Sequence, residues 1–193
     1  MKKGVLSLAF AVVFGFAATA TEPTADDKKE VNTETSKVTW KGYKFAGSHY
    51  GNIALQSGAL LFDGDQLTGG EFIVDMTSIS VEDLKAGEGK EKLEAHLNTG
   101  DFFGTEAHET SKLVFTTVES SGKNSYKVTG DLTIKEITKP ITFDVSVYGS
   151  KATATLKIDR TAYDIHYGST NFTDTLKDKA IYDEFDLVVD LEF

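Results

Sequence analysis

Residues 125–159 read SYKVTGDLTIKEITKPITFDVSVYGSKATATLKID. Apolar side chains recur at every second position in three successive runs. The first is Tyr126, Val128, Leu132 and Ile134; the second Ile141, Phe143, Val145 and Val147; the third Ala152, Ala154, Leu156 and Ile158. A period of two places these residues on one face of a pleated strand and the intervening Lys, Asp and Thr on the other. Gly130 interrupts the first face and predicts a bend. Pro140 follows a turn and opens the second strand, and Gly149-Ser150 is the next turn. Links this short join antiparallel neighbours, because a parallel crossover needs a dozen or more residues.

The same period extends outward. Val38 and Trp40 alternate with polar residues, then the phase flips at Gly42 to Tyr43 and Phe45, which predicts a bulge. Ile53, Leu55, Ala59 and Leu61 form a second strand, and Asp63-Gly64-Asp65 marks a hairpin. Phe72, Val74 and Met76 form a third, and Leu113, Phe115 and Thr117 a fourth. Arg160 to Ala180 has little period, and Phe185, Leu187, Val189, Leu191 and Phe193 make the last strand. Between the third and fourth strands, Val81–Thr99 is rich in Glu and Lys. Leu93 and Leu97 lie four apart there, on one helical face. Gly100 is the expected helix stop, and Asp101-Phe102-Phe103 follows it.

The count is eight strands with one short helical insertion after the third, an all-β fold. Eight hairpin-linked strands close into an antiparallel barrel or split into a two-sheet sandwich. A barrel of this size either fills itself with side chains or holds one small ligand. The 13 Phe, 7 Tyr and 1 Trp fit both readings. Trp40, Phe72, Phe115 and Phe143 sit on the inward phase of their strands, as core or as cavity wall.

The N-terminus has a different character. Lys2 and Lys3 precede an apolar run from Val5 to Ala18, and Ala18-Thr19-Ala20 is a small-x-small cleavage pattern. Residues 1–20 read as a signal peptide of a periplasmic or secreted protein. The run is shorter than the ~20 apolar residues of a spanning helix. No other window approaches that length, so no stable membrane insertion is expected. Residues 21–36 are charged and nearly devoid of apolar side chains, which predicts a flexible acidic leader, with the folded domain over 37–193. The formal net charge of −10 becomes more negative once Lys2 and Lys3 leave. Such a surface repels phosphate backbones, so nucleic acid is not an expected partner. The chain has no cysteine, which excludes disulfides, thiolate metal sites, cysteine nucleophiles and a lipidated N-terminal cysteine.

Catalytic patterns are sparse. Ser48 and His49 are adjacent on a strand and point to opposite faces. There is no Gly-x-Ser-x-Gly elbow, and Asp164 and His166 have no evident nucleophile beside them. His49, His96, His108 and His166 lack helical ligand spacing, so no metal and no cofactor is expected. Asp63 and Asp65 depart from a calcium-loop pattern after Gly64 and are expected as turn residues. Arg160 directly follows an apolar strand, where it either meets a polar ligand head group or pairs with an acidic neighbour.

Gly130-Asp131-Leu132-Thr133-Ile134-Lys135-Glu136-Ile137-Thr138-Lys139-Pro140-Ile141 resembles the most distinctive stretch of the YceI-like family of bacterial proteins. His96-Leu97-Asn98-Thr99-Gly100-Asp101-Phe102-Phe103, Phe72 to Ile79, Gly47 to Gly51 and Asp159 to Tyr163 agree with it, in order, across nearly all of 37–193. Gly104 stands where that family commonly has an acidic residue, and Glu109 where it commonly has proline. The resemblance implies a lipocalin-like barrel of eight antiparallel strands. It also implies a non-catalytic carrier of a lipid or polyisoprenoid, and pairing as a homodimer, for which no face is legible here. On that barrel the expected ligand wall is Trp40, Phe45, Phe72, Val74, Leu97, Phe103, Phe115, Leu132, Phe143, Arg160 and Tyr163. Two other readings stand beside the carrier. One is a hydrolase or isomerase acting on an apolar substrate; the other is an interaction protein with a self-filled barrel.

Overall fold

Alternating side chains become alternating burial. In the strand Ser125–Ile134, Tyr126, Val128, Leu132 and Ile134 are buried while Lys127 and Asp131 face solvent. The structure, a computed structural model, describes residues 27–172 and 179–193. Among these residues it contains β1 (Asp27–Glu30), β2 (Lys37–Lys44), β3 (Gly47–Asp63), β4 (Gln66–Val81), α1 (Lys90–Leu97), β5 (Thr110–Gly122), β6 (Ser125–Ile134), β7 (Ile137–Tyr148), β8 (Lys151–Asp159) and β9 (Ile181–Glu192). The expected signal peptide, 1–20, and the leader residues 21–26 lie outside the described residues.

Each strand from β2 to β9 pairs antiparallel with the next, and β9 pairs back onto β2 through Val38↔Val189 and Trp40↔Leu187. The eight strands therefore form a closed barrel, with α1 inserted between β4 and β5. The sandwich alternative is not realised. The β2–β9 register slips between Gly42 and Lys44, but the extra residues are on β9, and β2 itself keeps unbroken register with β3, so the expected change of phase at Gly42 does not occur. Tyr43 therefore faces outward by plain alternation and donates its hydroxyl to Asp186 Oδ2 at 2.6 Å. Pro140 lies within β7, which begins earlier than expected, at Ile137. It sits on the part of β7 that β8 does not pair, since that ladder starts at Asp144↔Thr155. A missing N–H is tolerated on such a stretch.

Part of the expected leader is ordered. β3 outruns its β2 partner after Ile53, and β1 pairs with the overhang at Ala59–Phe62. The overhang would otherwise present an open row of backbone groups, an edge that antiparallel sheets cover. Val31 then enters the core, and Lys29 lies 4.8 Å from the centre of the Phe62 ring. The helix also stops earlier than Gly100. Asn98 ends it by donating both its backbone N–H and its side-chain amide to Glu94 O, at 3.2 and 2.8 Å. Glu94 Oε1 in turn accepts the Val81 N–H at 2.8 Å, which fixes α1 across the end of β4. Gly104, one of the two departures from the family pattern, has φ +56°, a left-handed conformation that glycine adopts without strain.

Gly51 of β3 lies against the backbone of β4 with no room for a side chain. A Cβ built there falls 1.8 Å from the Ser80 carbonyl oxygen and 3.0 Å from the Trp40 ring. Gly51→Ala is expected to lower the denaturant midpoint by the equivalent of about 1–3 kcal/mol or more, the cost of forcing atoms into a filled space. Urea unfolding followed by Trp40 fluorescence measures it directly.

Candidate functional site: two apolar cavities in series

The inward phases do not fill the barrel. Among the described residues two neighbouring cavities lie inside it, of ≈ 140 Å³ and ≈ 90 Å³. The larger lies toward α1, between Trp40, Ile53, Ile79, Ile158 and Phe185, and is roofed by Leu97, Phe102, Phe103, Ile165 and Ile181. The smaller lies toward the β3–β4 hairpin, between Leu55, Leu60, Leu113, Leu156 and Leu191. Val38, Val74, Leu132 and Leu187 belong to both walls and form a waist between them. Tyr182 is 55 % exposed and also lines the larger cavity, so that cavity reaches the surface beside it.

The walls are held in place by packing. Phe115 contacts Phe72 and Phe143 with ring centres 5.6 and 5.7 Å apart. Its edge lies on Gly70, where a Cβ would come within 2.8 Å of it. The Trp40 indole N–H donates to Ser80 O at 3.1 Å, which fixes the ring in the larger cavity's wall. An apolar cavity of ~150 Å³ stays dry and accepts a benzene-sized guest. Each chamber is thus about one ring in size or smaller, and a long molecule has to pass the waist.

Nine of the eleven expected wall residues line a cavity. Trp40, Leu97, Phe103 and Arg160 belong to the larger one, Phe72, Phe115 and Phe143 to the smaller, and Val74 and Leu132 to both. Phe45 does not: it is 66 % exposed, because β2 ends at Lys44 and Phe45 lies in the turn to β3. Tyr163 is buried but lines neither cavity, since the 3-10 turn Arg160–Tyr163 carries it behind the wall. The sequence reading omitted Val38 and Leu187, although both lie on inward phases. It also omitted Ser111, two residues before Leu113 on the same face. Ile165 comes from the aperiodic stretch and Ile181 directly follows it, so neither belongs to a run with a pattern signal.

Arg160 acts chiefly on that stretch. It is 4 % exposed. Its Nε donates to Tyr182 O at 3.0 Å, Nη1 to Ile165 O at 2.7 Å and Nη2 to Ile181 O at 3.1 Å. Asp183 Oδ1 lies 3.5 Å from Nη2. Burial pulls the guanidinium pKa down, and the charges of Asp183 and Asp159 oppose that. Most of the fork is committed to carbonyls that roof the larger cavity, so Arg160 is a clasp for the roof as well as part of the wall.

The histidines lie elsewhere. His49 Nδ1 meets Asp83 at 2.7 Å, His96 Nε2 meets Asp101 at 3.1 Å, and His166 stacks on Phe172 at 3.8 Å. Among the described residues no group of three His, Cys, Asp or Glu side chains is placed to hold a metal, and no helix is long and apolar enough to cross a membrane.

Two buried hydroxyls, Ser111 Oγ and Tyr163 Oη, have no hydrogen-bond partner among the described residues. Burial, reinforced by the charge of Asp159, pushes the Tyr163 pKa from 10.0 up to about 12. The phenol is neutral when protonated, so the folded state holds this proton more tightly than the unfolded chain. That contribution to stability is complete below pH 10 and is lost as pH rises toward about 12. Tyr163→Phe is expected to match or exceed wild-type stability at neutral pH and to flatten the decline between pH 10 and 12. Thermal melts across that range check it.

The sequence profile of the YceI-like domain matches residues 30–193. A UPF0312 protein of Vibrio campbellii is 28 % identical over 152 residues, covering 78 % of this chain and 76 % of its own. Among solved structures, Burkholderia cenocepacia BcnA superposes with a TM-score of 0.62 at 22 % identity, over 83 % of this chain and 98 % of its own. A polyisoprenoid binding domain from Saccharophagus degradans superposes with a TM-score of 0.58 at 14 % identity, over 84 % of this chain and 97 % of its own.

Proposed function

The chain belongs to the YceI-like family, and from that premise we propose that it is an exported carrier which shelters a lipid-like amphiphile, such as a polyisoprenoid, inside its barrel. The observation that supports this most directly is the pair of neighbouring apolar chambers that share Val38, Val74, Leu132 and Leu187 as a common wall. Their adjacency suits a long, narrow guest. The polyisoprenoid binding domain of Saccharophagus degradans has the same fold. Each methylene taken from water contributes ~0.8 kcal/mol, so ten contribute roughly 8 kcal/mol before ordering costs. Weak polar contacts at one end then suffice for useful affinity.

A catalytic reading is less well supported. Proton transfer or nucleophilic attack needs a base beside the reacting atoms. Among the described residues neither cavity wall includes a histidine or a carboxylate. The polar residues of the larger cavity's wall include Ser111, Arg160 and Tyr182, and Thr153 of the smaller one faces solvent on β8.

Native mass spectrometry after mild purification, followed by organic extraction, is expected to reveal a retained lipid-sized mass. Val74→Phe narrows the waist from β4. It is expected to reduce uptake of a long-chain fluorescent lipid at least tenfold while leaving binding of a single-ring probe within about twofold. A wild-type protein that is bare and takes up no long-chain lipid would overturn the carrier reading and leave a barrel that binds nothing.

Export is a separate part of the proposal and rests on the order of charge, apolar run and Ala-x-Ala pattern at residues 1–20. The intact mass of the protein recovered outside the cytoplasm is expected to correspond to a chain starting at Thr21. A mass that retains Met1 to Ala20 would contradict it.

A further inference from the structure

Ser111 is a buried polar residue in the wall of the larger cavity whose hydroxyl the protein leaves unused. It lies on β5 directly opposite Val74 of the waist, so its side chain shares Val74's inward face. The residue is 6 % exposed and lines the larger cavity, while its Oγ is itself buried within the wall and has no hydrogen-bond partner among the described residues. Burying a hydroxyl unpaired is costly, and an alanine of nearly the same size would avoid that cost. The other deeply buried polar group of this wall, the Arg160 guanidinium, is turned mainly to the carbonyls of Ile165, Ile181 and Tyr182. Among the described residues the wall of the larger cavity therefore holds a buried hydroxyl without a partner, in apolar surroundings, beside the constriction and away from the surface.

We propose that Ser111 is an internal anchor that recognises an uncharged oxygen function within the guest's apolar body, a carbonyl or a hydroxyl. This rests on the carrier reading and deepens it by naming the ligand's chemistry. A hydroxyl both donates and accepts, so it serves either function. A single hydroxyl does not compensate for stripping water from a full charge, which excludes a carboxylate or phosphate at this depth. A plain hydrocarbon leaves Ser111 unpaired. The guest that matches the chamber carries its neutral oxygen at the level of the waist, with apolar segments on both sides. Selectivity follows from the arrangement: a site containing a polar group discriminates against the analogue that cannot pair with it.

The test uses the mature protein loaded with diphenylhexatriene, an uncharged fluorescent hydrocarbon, and measures its displacement by long-chain ketones and by alkanes of equal length. Wild type is expected to prefer the best ketone by about five- to tenfold, the effect of one net hydrogen bond. Ser111→Ala is expected to abolish that preference, to leave alkane displacement unchanged, and to melt no lower than wild type. Ser111→Thr, which keeps the hydroxyl, is expected to retain it. A ketone preference that survives in Ser111→Ala, or one absent from wild type while alkanes still displace the dye, would overturn the anchor and leave the carrier standing. Failure of the protein to take up diphenylhexatriene, any ketone or any alkane would overturn the carrier reading and the anchor with it.

Discussion

The β2–β9 ladder is the contact on which the rest of the molecule depends. It joins the first and last strands of the barrel through seven registered pairs, from Lys37↔Asp190 to Lys44↔Ile181. Without it the strands would form an open sheet with two bare edges, and no enclosed space would exist. The chain has no disulfide to assist closure. Side-chain contacts reinforce the seam on its outer face, where Tyr43 and Lys157 both reach Asp186. Tyr43 is there by plain alternation, since β2 stays in unbroken register with β3 and Val38, Trp40 and Gly42 take the inner face.

A hollow interior opposes stability. At ~24 cal/mol per Å³ of void, the two chambers together cost on the order of 5 kcal/mol. That is comparable with the whole stability of many domains, ~5–15 kcal/mol. The compensating features lie around the chambers rather than in them. β1 covers the overhang of β3, α1 is tied to β4 through Glu94, and Arg160 gathers the roof carbonyls. A guest that fills the chambers restores the missing contacts, so occupancy and stability are linked.

The strands were legible because one side of each faces the interior and the other faces water. That two-sided environment is what a period of two records, and Tyr126 to Ile134 or Ala152 to Ile158 show it without interruption. The same logic identified most of the cavity wall, since wall and core occupy the same phase. It failed where burial depends on partners distant in sequence. Asp27–Glu30 is polar on both faces and is a strand only because β3 has a free edge beside it. Ile165 and Ile181 enter the roof through the Arg160 clasp, which no local pattern encodes. Phe45 lies outside because β2 keeps its phase through Gly42 and ends at Lys44, which two aromatic residues at alternate positions do not reveal. Ser111 was passed over because hydroxyls on an apolar face read as tolerated exceptions.

Because β9 is the last of these strands in sequence, closure also has an order in time. The walls contributed by β2 to β8 can pair as successive hairpins, but the gap between β2 and β8 stays open until Ile181–Glu192 arrives. Contacts between residues some 150 positions apart are slow to form, since the intervening chain must first be brought together. The chambers therefore come into existence late and all at once. A partly translated or partly translocated chain would have no interior to load, and a guest would enter a finished container or be enclosed by the final strand as it docks.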